Sequence, residues 1–593
     1  MLMVLPMTGA LAQGAPIPLV PDGGSAAPPQ TPPATLPAPS MVLQSPAATA
    51  GSVPTPGNPR DEPVHVQDLG APDPNATGIL DESHGGFGAD MWAGADMATV
   101  QKVLPLLPAP TPWLTLRRLE RRLLLSTAAV PAGRPSGDPL IKLRADKLWA
   151  LGELDGLVAL LKGLPAPAMT PELRRLLVDA ALLAGDNAAA CDQRAALRAA
   201  TSDDVFPAKL QVFCQFAAGK ASEAGLGVDL LREQKIGDPT FFVAADALSG
   251  IAPAGGRLDA FANPSPLSLA MARTAKLALP GSVGAGAASP ALLRAITLMP
   301  SASPEARLLT AEKAEAIGAV DTETLRQLYQ SVTFSPQELS APLNAAGTDK
   351  GIRSRALLFR AAEQQALPAA KAEIIGKALS LAADQGSYFT AARLYAPQLA
   401  ALKPAPELAW FAYPAARALF AAQKFDAARG WYSFAHSQST ANETMAETAA
   451  ALAPLVRLAG REDDQPLPTA ALDAWRKVRG GPAVEERRTT VLFSLLSGLG
   501  DRVPAEAWLP LLDGPAQVAA RLPRAALWQG LRVATEDLRL GETVMFALAS
   551  LGEPGLAQSD PDELYRVVAA LHLIGLDADA RALAVEAAIA NGI

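Results

Sequence analysis

The segment PELRRLLVDAALLAGDNAAACDQRAALRAATSDDVFPAKLQVFCQFAAGKASEAGLGVDLLREQ, running from Pro171 to Gln234, reads as two helix-turn-helix units of equal length laid end to end. Leu176, Ala180, Leu183 and Gly185 return 34 positions later as Leu210, Cys214, Ala217 and Gly219, and Ala190 and Leu197 return as Ala224 and Leu231. That period is the length of one helix pair. Each Gly stands where a helix must stop and reverse, because a residue without a Cβ takes the left-handed conformation that closes a helix end. An upstream copy ends at Gly152, 33 residues before Gly185. Five residues beyond the Gly, the two later copies carry Ala190 and Ala224, small enough for the second helix to approach the first closely. The Gly152 copy has Leu157 there.

The repeat length and the Gly-then-Ala spacing of these residues resemble the tetratricopeptide repeat, although its aromatic and Pro positions are only partly kept. The resemblance implies an all-α fold, a right-handed superhelix of helix-turn-helix repeats forming a tetratricopeptide-like α-solenoid. At about 34 residues per unit, the chain after Trp113 has room for roughly fourteen pairs, which predicts a curved, extended array. Composition agrees. Of 593 residues, 49% are apolar and 19% charged, the balance of a globular chain, and the apolar share is mostly Ala and Leu, both strong helix formers. The net charge of -8, with acids and bases intermixed, offers no basic surface to a phosphate backbone and argues against nucleic acid as a partner.

Four segments follow from this. Residues 1–12 form a short apolar run ending in Ala10-Leu11-Ala12, a small-x-small pattern that predicts a signal peptide cut before Gln13, although the usual basic n-region is missing. Export to a bacterial periplasm is the expected localisation. Residues 13–77 are rich in Pro, Ala, Thr, Ser and Gly and hold only Asp22 and Arg60 as charges up to position 60, so they are expected to be a disordered linker. Residues 78–112 are a lead-in with Gly85-Gly86-Phe87-Gly88 and Trp92. Residues 113–593 are the solenoid, with no later stretch apolar enough to span a membrane.

Trp113 to Ser126 reads as the first long helix, with Leu116, Leu119 and Leu123 on one face and Arg117, Arg118, Arg121 and Arg122 around them. The four Arg predict the solvated outer face of a capping helix, with attachment to an anionic surface as the functional alternative. Ser303-Pro304-Glu305 and Asp560-Pro561-Asp562-Glu563 read as helix starts, and Gly575 as the turn between the last two helices.

Few residues suggest chemistry. Cys191 lies six after Gly185 and Cys214 five before Gly219, which puts both at the same end of neighbouring antiparallel helices; in an exported protein they are expected to form a disulfide. His65, His84, His436 and His572 are scattered, so no metal is expected. Hydrolase, metalloprotease and phosphate-loop motifs are missing, Gly281-x-x-Gly-x-Gly286 has no strand before it, and neither a cofactor nor enzymatic activity is expected. Glu82-Ser83 resembles the Glu-Ser pair of lytic transglycosylases, yet it sits in the lead-in without a lysozyme-like domain.

The most distinctive candidate surface is the aromatic concentration from Tyr388 to Phe434. Tyr388, Tyr395, Trp410, Tyr413, Trp431 and Tyr432 are its candidate partner-binding residues; Phe425, Ala428 and Trp431 also echo the tetratricopeptide pattern, in which such an aromatic fills the core between repeats. The expected function is a non-enzymatic envelope scaffold or adaptor holding other envelope proteins. The alternative is an accessory module that binds a peptide or cell-wall glycan through these aromatics.

Overall fold

Ala- and Leu-rich segments separated by Gly, Pro and capping residues fold into successive helices, and neighbouring helices pack as antiparallel pairs. A computed structural model describes residues 73–593 apart from 201–203, 254–255, 257, 259–263, 281–282, 284–288, 349, 461–464, 479–481, 513–523 and 553–554. The signal run 1–12, the linker to position 72, His65 and the Gly281 to Gly286 motif thus lie outside the described residues. Among those described there is no strand. Three isolated β-bridges, Leu80 to Ser126, Asp96 to Ala132 and Leu279 to Ala302, are the only extended pairings.

The repeat turns are where the sequence puts them. Gly185 and Gly219 close the helices Pro171–Ala184 and Val205–Ala217 with φ of 90° and 75°, a region that strains any residue bearing a Cβ. Ala190 and Ala224 are fully buried at the pair contact, as the spacing requires, and Leu157 is buried in the earlier copy. One departure is that the helix after Gly185 is interrupted: Asn187–Asp192 ends at Gln193, whose side chain is drawn back to Arg174 at 2.5 Å, and Arg194–Ala200 continues beyond it. The expected helix starts are capped as their residues dictate. Ser303 Oγ accepts from the Ala306 N–H at 3.2 Å and Asp560 Oδ1 from the Asp562 N–H at 2.9 Å, each with Pro in the first turn.

Two expectations fail. The helix Leu114–Leu125 lies within the boundaries read from the sequence and keeps Arg118 and Arg121 exposed, but it is not a capping helix at the end of the array. Leu116, Leu119, Glu120, Leu123, Leu124 and Leu125 are all buried, and the helix packs on both Leu540–Leu551 and the last helix, Asp577–Ala590. We call it the hub helix. The second failure follows from the first: the end of the array returns to its beginning, so the solenoid is not an open, extended one. The last helix also packs against Ala412–Ala421 and Glu443–Leu458, and every residue from Ala580 to Ile589 is buried.

The lead-in belongs to the same compact unit, Ala71–Ile593. Residues 73–77, which the composition assigns to the linker, are already folded. Arg144, itself buried, donates from its guanidinium to the carbonyls of Asn75 (3.2 Å), Thr77 (2.7 Å), Leu124 (2.7 Å) and Ser126 (3.1 Å), stitching residues 73–77, just before the lead-in, to the C-terminal end of the hub helix. Further on, the Gly541 N–H donates to the Met91 carbonyl at 2.9 Å, bringing the lead-in against the penultimate pair.

Candidate functional site

The aromatic region divides into a core and a surface. Tyr395 and Trp431 are 2% and 1% exposed, so neither is a partner-binding residue in this conformation: Tyr395 packs edge-on to Phe359 at 5.5 Å and Trp431 edge-on to Phe411 at 6.2 Å. This is the core role that the Phe425, Ala428 and Trp431 pattern indicated. Tyr388 is half-buried beneath Arg417, whose guanidinium lies 4.8 Å from the ring centre while donating to the Ile589 carbonyl, so this residue also serves the contact with the last helix. Burial raises its phenol pKa.

The remaining candidates face outward to different degrees. Trp410 is 53% exposed and rests on the Phe411 ring at 5.4 Å, and Phe411 in turn rests on Trp431. An exposed indole seated on a buried aromatic stack loses little side-chain freedom on binding, which is the condition of an interface anchor. Tyr413 is half-buried. Tyr432, also half-buried, lies parallel to the exposed His436 ring at 5.7 Å.

A second site was only partly visible in the sequence. The four Arg of the hub helix reach the ends of four different helices. Arg117 donates to the Glu315 and Ala316 carbonyls (3.0 and 3.4 Å) at the end of Pro304–Ile317, Arg118 to the Gln423 amide oxygen (2.5 Å) before Phe425–Gln438, Arg121 to Glu153 (2.5 Å) before Leu154–Lys162, and Arg122 to Asp579 (2.7 Å) in the last helix. Arg122 also lies 4.1 Å over the Phe87 ring of the lead-in. Helix ends far apart in the chain therefore converge on one helix. Gly318 has a φ of 82°, which strains any residue bearing a Cβ, and an added Cβ would also meet Arg117 Cδ at 2.5 Å, so a side chain there would displace that arginine.

Between the hub helix and two of these helix ends lies a cleft of ≈ 440 Å³ lined by Arg117, Arg118, Arg121, Arg294 and Arg393. Two of its lining residues, Glu315 and Arg393, form a buried ion pair. Arg393 Nε and Nη2 donate to the two Glu315 oxygens at 2.7 and 2.9 Å, and Thr322 and Thr390 hydroxyls add bonds of 2.7 Å each. These bonds hold the Glu315 carboxyl below the usual carboxylate range against the upward push of its burial. Arg393 and Glu315 carry no short-range sequence signal, since they lie 78 residues apart.

Cys191 and Cys214 are joined in a disulfide with a Cα separation of 5.7 Å, as their placement about the two turns predicts. Glu82 and Ser83 lie in an exposed turn, where the Ser83 hydroxyl donates to Asp81 at 2.7 Å. Among the described residues no group of His, Cys, Asp and Glu is arranged to hold a metal, and no helix is long and apolar enough to cross a membrane.

Compared with known proteins, the chain matches no family model, no curated protein and no solved structure. The likeness to tetratricopeptide repeats stands on the residue spacing and the packed helix pairs.

Proposed function

We propose that this protein is a non-enzymatic scaffold or adaptor of a bacterial envelope compartment, exported to the periplasm by its N-terminal run. A disordered arm joins that run to a right-handed tetratricopeptide-like solenoid. The solenoid holds other envelope proteins on its surface. The observation that carries this proposal is Trp410: a large indole, more than half exposed, mounted on the buried Phe411 and Trp431 stack. Helical-repeat surfaces favour protein partners because they present many side chains over an extended area.

The stacked Tyr432 and His436 pair favours one alternative, an accessory module that lays a cell-wall glycan or an extended peptide across exposed rings. The two differ in what is captured. The tagged full-length chain is cross-linked mildly in its own cells and purified. Recovery of envelope proteins in stoichiometric amount supports the scaffold, recovery of cell-wall fragments without protein supports the glycan module, and background alone contradicts both.

A further inference from the structure

The hub-helix cleft holds more guanidinium than its carboxylates neutralise. Four carboxylates line it with the five Arg: Glu153, Asp155, Glu315 and Asp321. Glu153 is taken by Arg121, Asp155 by Arg294 at 2.6 Å and Glu315 by Arg393, while Asp321 caps the helix Thr322–Ser331 through the Thr324 N–H at 2.7 Å. Among the described residues Arg117 and Arg118 are left with neutral acceptors, backbone carbonyls and a side-chain amide.

A second observation points the same way. Arg393 Nη1 belongs to a side chain 7% exposed and has no hydrogen-bond partner among the described residues, and the Nε of Arg294, which also lines the cleft, has none either. Buried donors that charged are ordinarily satisfied, so their lack of a partner adds to the uncompensated positive charge around the cleft. The electrostatics agree: burial first, then the positive charges of Arg393 and Arg118, push the Arg117 guanidinium down to about 10 against the pull of Glu315 and Glu586. Cations here crowd one another.

We infer that this cleft binds a small molecule bearing oxyanion groups, either carboxylate or phosphate, held by Arg117 and Arg118 of the hub helix together with Arg294 and Arg393. Guanidinium forks match both kinds of oxyanion geometrically. The volume suits a small polyanion. The inference is independent of the scaffold proposal, which concerns a different surface.

The test is calorimetric titration of the folded full-length chain with sodium pyrophosphate and, separately, sodium citrate, each against sodium chloride of equal ionic strength. One-to-one binding of at least one probe above the chloride control is expected; pyrophosphate alone assigns a phosphate ligand, citrate alone a carboxylate ligand, and both a general oxyanion site. Arg118→Gln, at an exposed position, is expected to weaken that binding at least tenfold. Asp155→Asn, which releases Arg294 from a partner that is itself mostly exposed, is expected to tighten it several-fold. Failure of both probes to bind, or equal affinity in the wild type and both variants, overturns the inference.

Discussion

Glu586 in the last helix caps Leu114, the first residue of the hub helix: its carboxylate accepts the Leu114 N–H at 2.7 Å and the Thr115 N–H at 3.1 Å. A helix start leaves its first N–H groups without partners inside the helix, and here the residue before it, Trp113, supplies no side-chain cap. The carboxylate arrives instead from 472 positions away. Beginning and end of the helical array are thus fastened by a charge at the positive end of a helix.

Glu586→Ala removes this cap and leaves two N–H groups in a buried setting. A loss of about 2 kcal/mol in unfolding free energy is expected, larger than for an ordinary exposed cap. Denaturant titration of the variant measures it, and Glu586→Gln, which keeps an acceptor but not the charge, is expected to fall between the variant and the wild type.

Glu120 on the hub helix is fully buried with no partner for either oxygen among the described residues. Burial raises its pKa from 4.5 to about 8, opposed by the nearby Lys147 charge. The native state therefore keeps the proton where the unfolded chain releases it. Stability is fully present below the unfolded value and declines as pH rises from about 4.5 to about 8. Glu120→Met removes both the titration and the unpaired oxygens. A gain on the order of 2 kcal/mol at pH 7, shrinking toward pH 5, is expected in thermal or denaturant unfolding. Glu563, likewise raised to about 8 by burial, adds to the same slope and steepens the wild-type profile.

Reduction of the Cys191 to Cys214 bond, or Cys191→Ser with Cys214→Ser, opens a loop with a sequence separation of 23. About 3 kcal/mol of stability is expected to be lost on a chain-entropy estimate. The intact mass without reductant, two hydrogens below the reduced form, checks the bond itself.

Arg144→Met keeps the apolar stem and strips four carbonyls of their donor. Residues 73–77 are expected to loosen from the hub helix, at about 3 kcal/mol in unfolding free energy. Limited proteolysis reads this as a new cut between residues 73 and 96, while the protected pattern of the later helix pairs persists.

The helix pairs were legible because their signals are local. A Gly at a helix end and an Ala five residues on act within one turn and one contact, and Gly185 with Ala190 and Gly219 with Ala224 fold as they read. The same turn is hidden where another residue fills it. Gln423 takes the left-handed conformation with φ of 56°, five before the buried Ala428, and its amide compensates by bonding Arg118 and, at 2.9 Å, the Thr115 hydroxyl of the hub helix. The hub itself was hidden for a different reason. Four Arg around a Leu face look solvated in sequence, whereas long Arg side chains bury their stems and carry the charged ends to distant helix ends. A signal for the closing helix did exist: Ala580 to Ile589 is apolar on nearly every face, the pattern of a helix covered on all sides. In the aromatic region, spacing alone distinguishes poorly between Trp410, which precedes its helix and points out, and Trp431, which falls on a core face.

The most direct measurement of the scaffold proposal is photo-cross-linking in living cells, with a benzophenone amino acid placed at Trp410 and, as the control, at Leu226, which is 75% exposed on the helix Ala221–Glu233. A discrete adduct to an envelope protein from position 410 and none from position 226 is the predicted result. Adducts from neither position, or the same adduct from 226 without one from 410, would contradict the claim that this aromatic surface is where the protein holds its partner.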